Sequence, residues 1–132
     1  MLFRSHDAKY CAAVVASEQH FRSIGIDLES IGAVPAELTD RVLRPDEIAK
    51  LDWLFRPDGA DWLTLSFCLK EAAYKAFYPR FRRIIDFHDM CLSIDAEDRT
   101  YFVEVYGENS NRISVLEGRY LIENGNIHAG SW

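Results

Sequence analysis

The chain has 132 residues, 15 Lys plus Arg against 21 Asp plus Glu, a formal net charge of −6 and 48% hydrophobic residues. That profile fits one soluble globular domain over residues 1–132 and excludes a disordered tail. The acidic balance argues against bulk nucleic-acid binding, which relies on a positive footprint, and the longest apolar run, Tyr10 to Ala16, is far shorter than the ~20 residues of a membrane span.

From Tyr10 to Ser17 the residues are small and β-branched, Glu18-Gln19-His20 supplies turn chemistry, and Ser23 to Glu29 alternates apolar and polar. The pattern predicts a β-hairpin made of these two strands. Arg4 and Lys9 before the apolar run imitate a signal peptide, but the polar Ser5-His6-Asp7 and the strand pattern that follows point instead to a cytoplasmic protein. Cys11, Cys68 and Cys91 form no CxxC pair and are expected to be buried thiols, not disulfide or zinc ligands.

Pro35 and Pro45 are each placed to open a short helix, the first through Ala36, Leu38 and Val42, the second through Ile48, Leu51 and Leu54 with Asp46 and Glu47 at its start. A longer helix is expected after Pro57-Asp58-Gly59, because Trp62, Leu65, Leu69, Ala72, Ala73 and Ala76 recur at helical spacing; it is expected to end near Tyr78-Pro79. Strand patterns follow at Met90 to Ile94, Tyr101 to Tyr106, Arg119 to Ile122 and Ile127 to Trp132, with Asn124-Gly125 as the strongest hairpin turn. The expected fold is α+β, a largely antiparallel sheet packed against one long and two short helices.

In Ile24-Gly25-Ile26-Asp27-Leu28-Glu29 the strand period puts Gly25, Asp27 and Glu29 on one face. The Cα atoms of the two acidic residues lie ~6–7 Å apart along the strand, close enough for their side chains to converge on a hard cation, and Gly25 is expected to leave room for a ligand. A solvated acidic face is the plain alternative. In Phe67-Cys68-Leu69-Lys70-Glu71-Ala72-Ala73-Tyr74-Lys75, Glu71 and Lys75 share a side of the helix, roughly opposite the apolar stripe. Alone they read as an ordinary i,i+4 pair; meeting Asp27 and Glu29, they form an oxygen-rich site with a cation for phosphates.

These two segments resemble the paired signatures of the 4′-phosphopantetheinyl transferase superfamily. The chain looks most like the second half of its enterobactin and surfactin subgroup, with Ser5-His6, Phe77-Tyr78-Pro79, Asp86-Phe87-His88-Asp89 and Gly118-Arg119-Tyr120 supporting the likeness. The resemblance implies transfer of 4′-phosphopantetheine from coenzyme A to a serine of an apo carrier protein. It implies that Asp27, Glu29 and Glu71 hold magnesium, that Lys75 and His6, with Lys70 as a weaker candidate, contact phosphates, and that Glu71, or else Glu47, takes the serine proton. Members of that subgroup consist of two similar halves with the coenzyme A site between them. Self-association or a separate first half could therefore complete the site, or the chain could be a truncated or degenerate half that binds metal, coenzyme A or a partner without catalysis. Arg41 and Arg44, or the denser Arg80, Arg82 and Arg83, are candidates for docking an acidic carrier; a solvated loop and a substitute 3′-phosphate site are the alternatives for the second cluster.

Overall fold

The computed structural model describes residues 2–6, 9–51 and 61–132, with backbone alone for 2–6 and Leu51. The elements in chain order are β1 (Leu2–His6), β2 (Cys11–Val15), β3 (Gly25–Ser30), α1 (Thr39–Val42), α2 (Pro45–Leu51), α3 (Trp62–Phe81), β4 (Met90–Asp95), β5 (Thr100–Tyr106), β6 (Arg112–Glu123) and β7 (Asn126–Ser131). The fold is α+β. A five-stranded antiparallel sheet has the order β3-β7-β6-β5-β4, and β1 and β2 form a separate antiparallel pair that lies against β3.

The hairpin expected between the Tyr10–Ser17 and Ser23–Glu29 segments is not formed. β2 takes β1 as its ladder partner, Leu2 opposite Val15, and β3 takes β7, with Asp27 opposite Ala129. β2 is taken by its other sequence neighbour, β1, and β3 packs its inner face on α3 beside the core residues Ile127 and Ala129 of β7. β6 is also longer than expected. Val115 and Leu116 break the alternation ahead of Arg119, and Val115 is exposed while Leu116 is buried, so the first half of this strand carries no clean period-two signal. The Asn124-Gly125 turn has the expected conformation, with φ of 51° and 76°.

The long helix α3 is built as its sequence suggests. Asp61 caps it by accepting the Thr64 N–H at 2.7 Å, and its stripe of Trp62, Leu65, Leu69, Ala72, Ala73 and Ala76 is buried against sheet residues including Val103, Val105, Leu116 and Ile127. It runs past Pro79 to Phe81 and stops where Arg82 turns left-handed, φ 51°. A proline in the last turn forfeits one backbone bond, and the Arg82 N–H still reaches the Tyr78 carbonyl at 2.8 Å. The first two short helices form where Pro35 and Pro45 open them, the former as a single 3-10 turn, Ala36–Leu38, running into α1. Leu54 lies outside the described residues. Among the described residues no helix is long and apolar enough to cross a membrane.

Candidate active site

The site forms where β3, at the edge of the five-stranded sheet, meets α3. Gly25 sets their separation. A Cβ there would lie 2.1 Å from the Ala72 carbonyl oxygen and 2.5 Å from the Ala76 nitrogen, so the space expected for a ligand is occupied by helix backbone. This corrects the role read for Gly25: the missing side chain lets a helix approach, and thereby brings the acidic face of β3 under α3.

On that face Asp27 is only 5% exposed, which removes a solvated acidic face as the account of this residue. Its Oδ1 accepts a hydrogen bond from Lys75 Nζ at 2.6 Å. Lys75 thus makes its close ion pair across elements, not with Glu71 one turn earlier. Glu29 has its pKa pushed up to about 7, first by burial and then by Asp27, with Lys75 opposing and Glu71 adding. Glu71 is raised as well, by burial and by Asp27. Asp27, Glu29, Glu71 and Lys75 are therefore one electrostatic cluster drawn from two elements.

A carboxyl whose pKa is higher in the fold than in the open chain holds its proton more tightly when folded. The contribution of Glu29 to stability is complete below about pH 4.5 and is lost as pH rises through about 7. Denaturant unfolding in a chelator-containing buffer is expected to show wild type losing more stability than Glu29→Gln between pH 5 and pH 8. Parallel pH slopes for the two proteins contradict this.

Among the described residues no group of three or more His, Cys, Asp and Glu side chains is gathered as a ready metal cluster. The donor set nevertheless fits a hard divalent cation in kind. It offers carboxylate oxygens alone, and two of the three carboxyls are raised by burial and by a like-charged neighbour, the electrostatic cost that a bound dication relieves.

Lys70 and Glu47 are elsewhere. Lys70 is fully buried, and its Nζ donates to Glu47 Oε2 at 2.7 Å, the Val42 carbonyl at 2.9 Å and the Phe87 carbonyl at 3.1 Å. With its three N–H bonds taken inside the protein, it has no donor for a phosphate, which corrects that expectation. Glu47 is 3% exposed; its oxygens also accept the Arg44 N–H at 2.9 Å and the Leu92 N–H at 2.7 Å, so it is a brace between α2, α3 and β4 and is not placed to take a serine proton. Burial lowers the Lys70 pKa and Glu47 opposes that shift. The polar character of Lys70 and its place beside Glu71 misled the sequence reading, because a paired lysine can be fully buried on the same helix that carries a partly exposed one.

Glu71 and Tyr74 line a cavity of about 240 Å³ whose other walls include Arg41, Ile85 and Asp86. Tyr74 was not anticipated, although its position three residues after Glu71 on a helix is a usable signal. Arg44 is held by Asp46 at 2.9 Å and by the His88 carbonyl at 2.8 Å. Arg80, Arg82 and Arg83 are exposed at the end of α3. The backbone of His6 pairs with Cys11, and its side chain lies outside the described residues. Of the cysteines only Cys68 is buried; Cys11 is exposed and Cys91 partly so, because both stand on strands with one uncovered face.

The class of protein that this fold and site define is borne out by comparison. Residues 23–124 match the 4′-phosphopantetheinyl transferase superfamily, and the chain belongs to that family. It is 34% identical to the 4′-phosphopantetheinyl transferase Npt of Nocardia iowensis, over 93% of this chain and 60% of that protein. It is 30% identical to the 4′-phosphopantetheinyl transferase PptT of Mycobacterium tuberculosis, over 92% of this chain and 56% of that protein. The chain thus spans little more than half the length of the curated relatives it matches.

Proposed function

We propose that the chain is the carboxylate-bearing half of a magnesium-dependent 4′-phosphopantetheinyl transferase, acting in the cytoplasm on coenzyme A and an apo carrier protein. The observation that carries this reading is the convergence of Asp27 and Glu29 from β3 with Glu71 and Lys75 from α3, inside the family-matched segment. Asp27, Glu29 and Glu71 would hold the cation, which when bound supplies neutralisation of charge on the pyrophosphate oxygens. Residues 1–132 form one domain, equivalent to the second half of the longer family members, and a first half, or a second copy in its place, completes the coenzyme A cleft.

In the reaction, the serine oxygen attacks the β-phosphorus of coenzyme A, and the bond from that phosphorus to the bridging oxygen breaks. Adenosine 3′,5′-diphosphate leaves, and the serine proton passes to a carboxylate. Glu71 is the group proposed for that proton, since it lines the cavity beside α3 and a carboxylate within reach of the hydroxyl can act as its base. Lys75, once released from Asp27, is the proposed phosphate contact; His6 is proposed to add a second.

The test is a mass measurement on an apo carrier protein incubated with coenzyme A, magnesium and this chain. Wild type is expected to add the phosphopantetheine mass, and Glu71→Gln to slow that addition by roughly 10²–10⁴-fold with an unchanged fold. Normal transfer by Glu71→Gln overturns the assignment of the base. Coenzyme A binding without transfer by wild type favours the second reading, a half-domain that binds without catalysing. Sedimentation at micromolar concentration separates self-association from a need for another chain.

A further inference from the structure

We infer that the stripe Tyr74–Tyr78–Arg82 along α3, with Ile84 two residues beyond its outer end, is the docking surface for the protein that brings the acceptor hydroxyl to Glu71. The partner it fits carries carboxylates around a small apolar contact. This inference rests on the transferase reading above.

Glu71, Tyr74, Tyr78 and Arg82 follow one another at steps of three and four residues, which places them along one side of the helix. Their contacts form a continuous run. The Tyr74 and Tyr78 rings are 5.9 Å apart, and the Arg82 guanidinium lies 5.9 Å from the Tyr78 ring centre. The inner end opens into the cavity that Glu71 and Tyr74 share with Arg41; the carboxylate of Asp86 in that wall is engaged by the Asp89 backbone. At the outer end Ile84 is 83% exposed and Tyr78 38% exposed.

The charge here runs against that of the chain. Within a molecule of net charge −6, Arg80, Arg82 and Arg83 are exposed within four residues. Among the described residues only Arg83 of these three reaches a carboxylate, Glu108 at 4.0 Å. Arg82 lies over the Tyr78 ring, and stacking on a ring leaves a guanidinium's N–H edge able to donate to a carboxylate. A merely solvated basic loop has no need of an exposed isoleucine and tyrosine. Aromatic and arginine side chains around an apolar knob are the composition of a protein interface, and the direct run to Glu71 is what an acceptor-bearing partner requires.

The experiment titrates fluorescently labelled apo acyl and peptidyl carrier proteins against the full chain, with adenosine 3′,5′-diphosphate in a parallel titration. An Arg82→Glu variant and an Ile84→Glu variant are compared with Arg119→Glu, which makes the charge change of Arg82→Glu on the exposed face of β6. The two patch variants are expected to weaken carrier binding by at least about tenfold and to flatten its salt dependence. Arg119→Glu and the nucleotide titrations are expected to match wild type. Equal carrier binding by all variants overturns the docking surface. Loss of nucleotide binding with intact carrier binding overturns it too, in favour of a 3′-phosphate site. Absence of carrier binding by wild type overturns the transferase reading of the isolated chain, and the docking surface with it.

Discussion

Glu47→Ala is expected to lower stability by about 3–5 kcal/mol, the cost of leaving a buried charge without its partner. Lys70 has no exposure, so its ammonium cannot turn to water once the carboxylate at 2.7 Å is gone; the Val42 and Phe87 carbonyls that remain are dipoles, not a countercharge. The Arg44 and Leu92 N–H groups lose their acceptor in the same step. A double variant, Glu47→Leu/Lys70→Met, removes both charges and is expected to recover much of the loss, since an apolar pair of similar volume often replaces a buried ion pair without cost. Urea unfolding of the three proteins is the measurement. Glu47→Ala within about 1 kcal/mol of wild type contradicts the brace, and a double variant no more stable than Glu47→Ala shows that packing around the pair, rather than the unpaired charge, carries the loss.

Gly25→Ala is expected to damage the site more than its single methyl suggests. The added Cβ meets the backbone atoms of Ala72, Lys75 and Ala76 at 2.1 to 2.9 Å, and backbone in a helix cannot swing aside as a side chain can. Overpacking of this kind costs about 1–3 kcal/mol and occasionally more. The relief available is for α3 to lift from β3, which separates Lys75 and Glu71 from Asp27 and Glu29. Thermal unfolding and the pH slope of stability are expected to change together, because the burial that chiefly raises Glu29 lessens as the elements part. Gly130→Ala is the control: a Cβ at Gly130 meets nothing within 4 Å, and the change is expected to stay within about 0.5 kcal/mol. Gly25→Ala behaving like Gly130→Ala contradicts the close approach.

Local pattern made much of this molecule legible. The core stripe of α3, the helix starts at Pro35 and Pro45 and the Asn124-Gly125 turn follow from periodicity and backbone preference, both of which act over a few residues. Strand partnership did not follow. β2 and β3 are neighbours in sequence, yet β2 pairs with its other neighbour β1 and β3 with the distant β7, beside whose core residues β3 lays its inner face on α3. The site was legible to the same extent. Asp27, Glu29, Glu71 and Lys75 could be nominated from their spacing and family likeness, but the 2.6 Å link between Lys75 and Asp27 joins residues 48 positions apart.

By itself the sequence determined the fold class, the helix and turn positions, and which carboxylates and cations are available for chemistry, because those depend on composition and on short-range geometry. Only the tertiary structure decided which of two neighbouring lysines is internal. Lys70 and Lys75 are five residues apart on one helix and alike in chemistry. Packing turns Lys70 to Glu47 in the interior and Lys75 to Asp27 at the edge of the sheet. Burial and the identity of the partner, neither of which is a local property of the chain, separate a structural brace from a group available to the site.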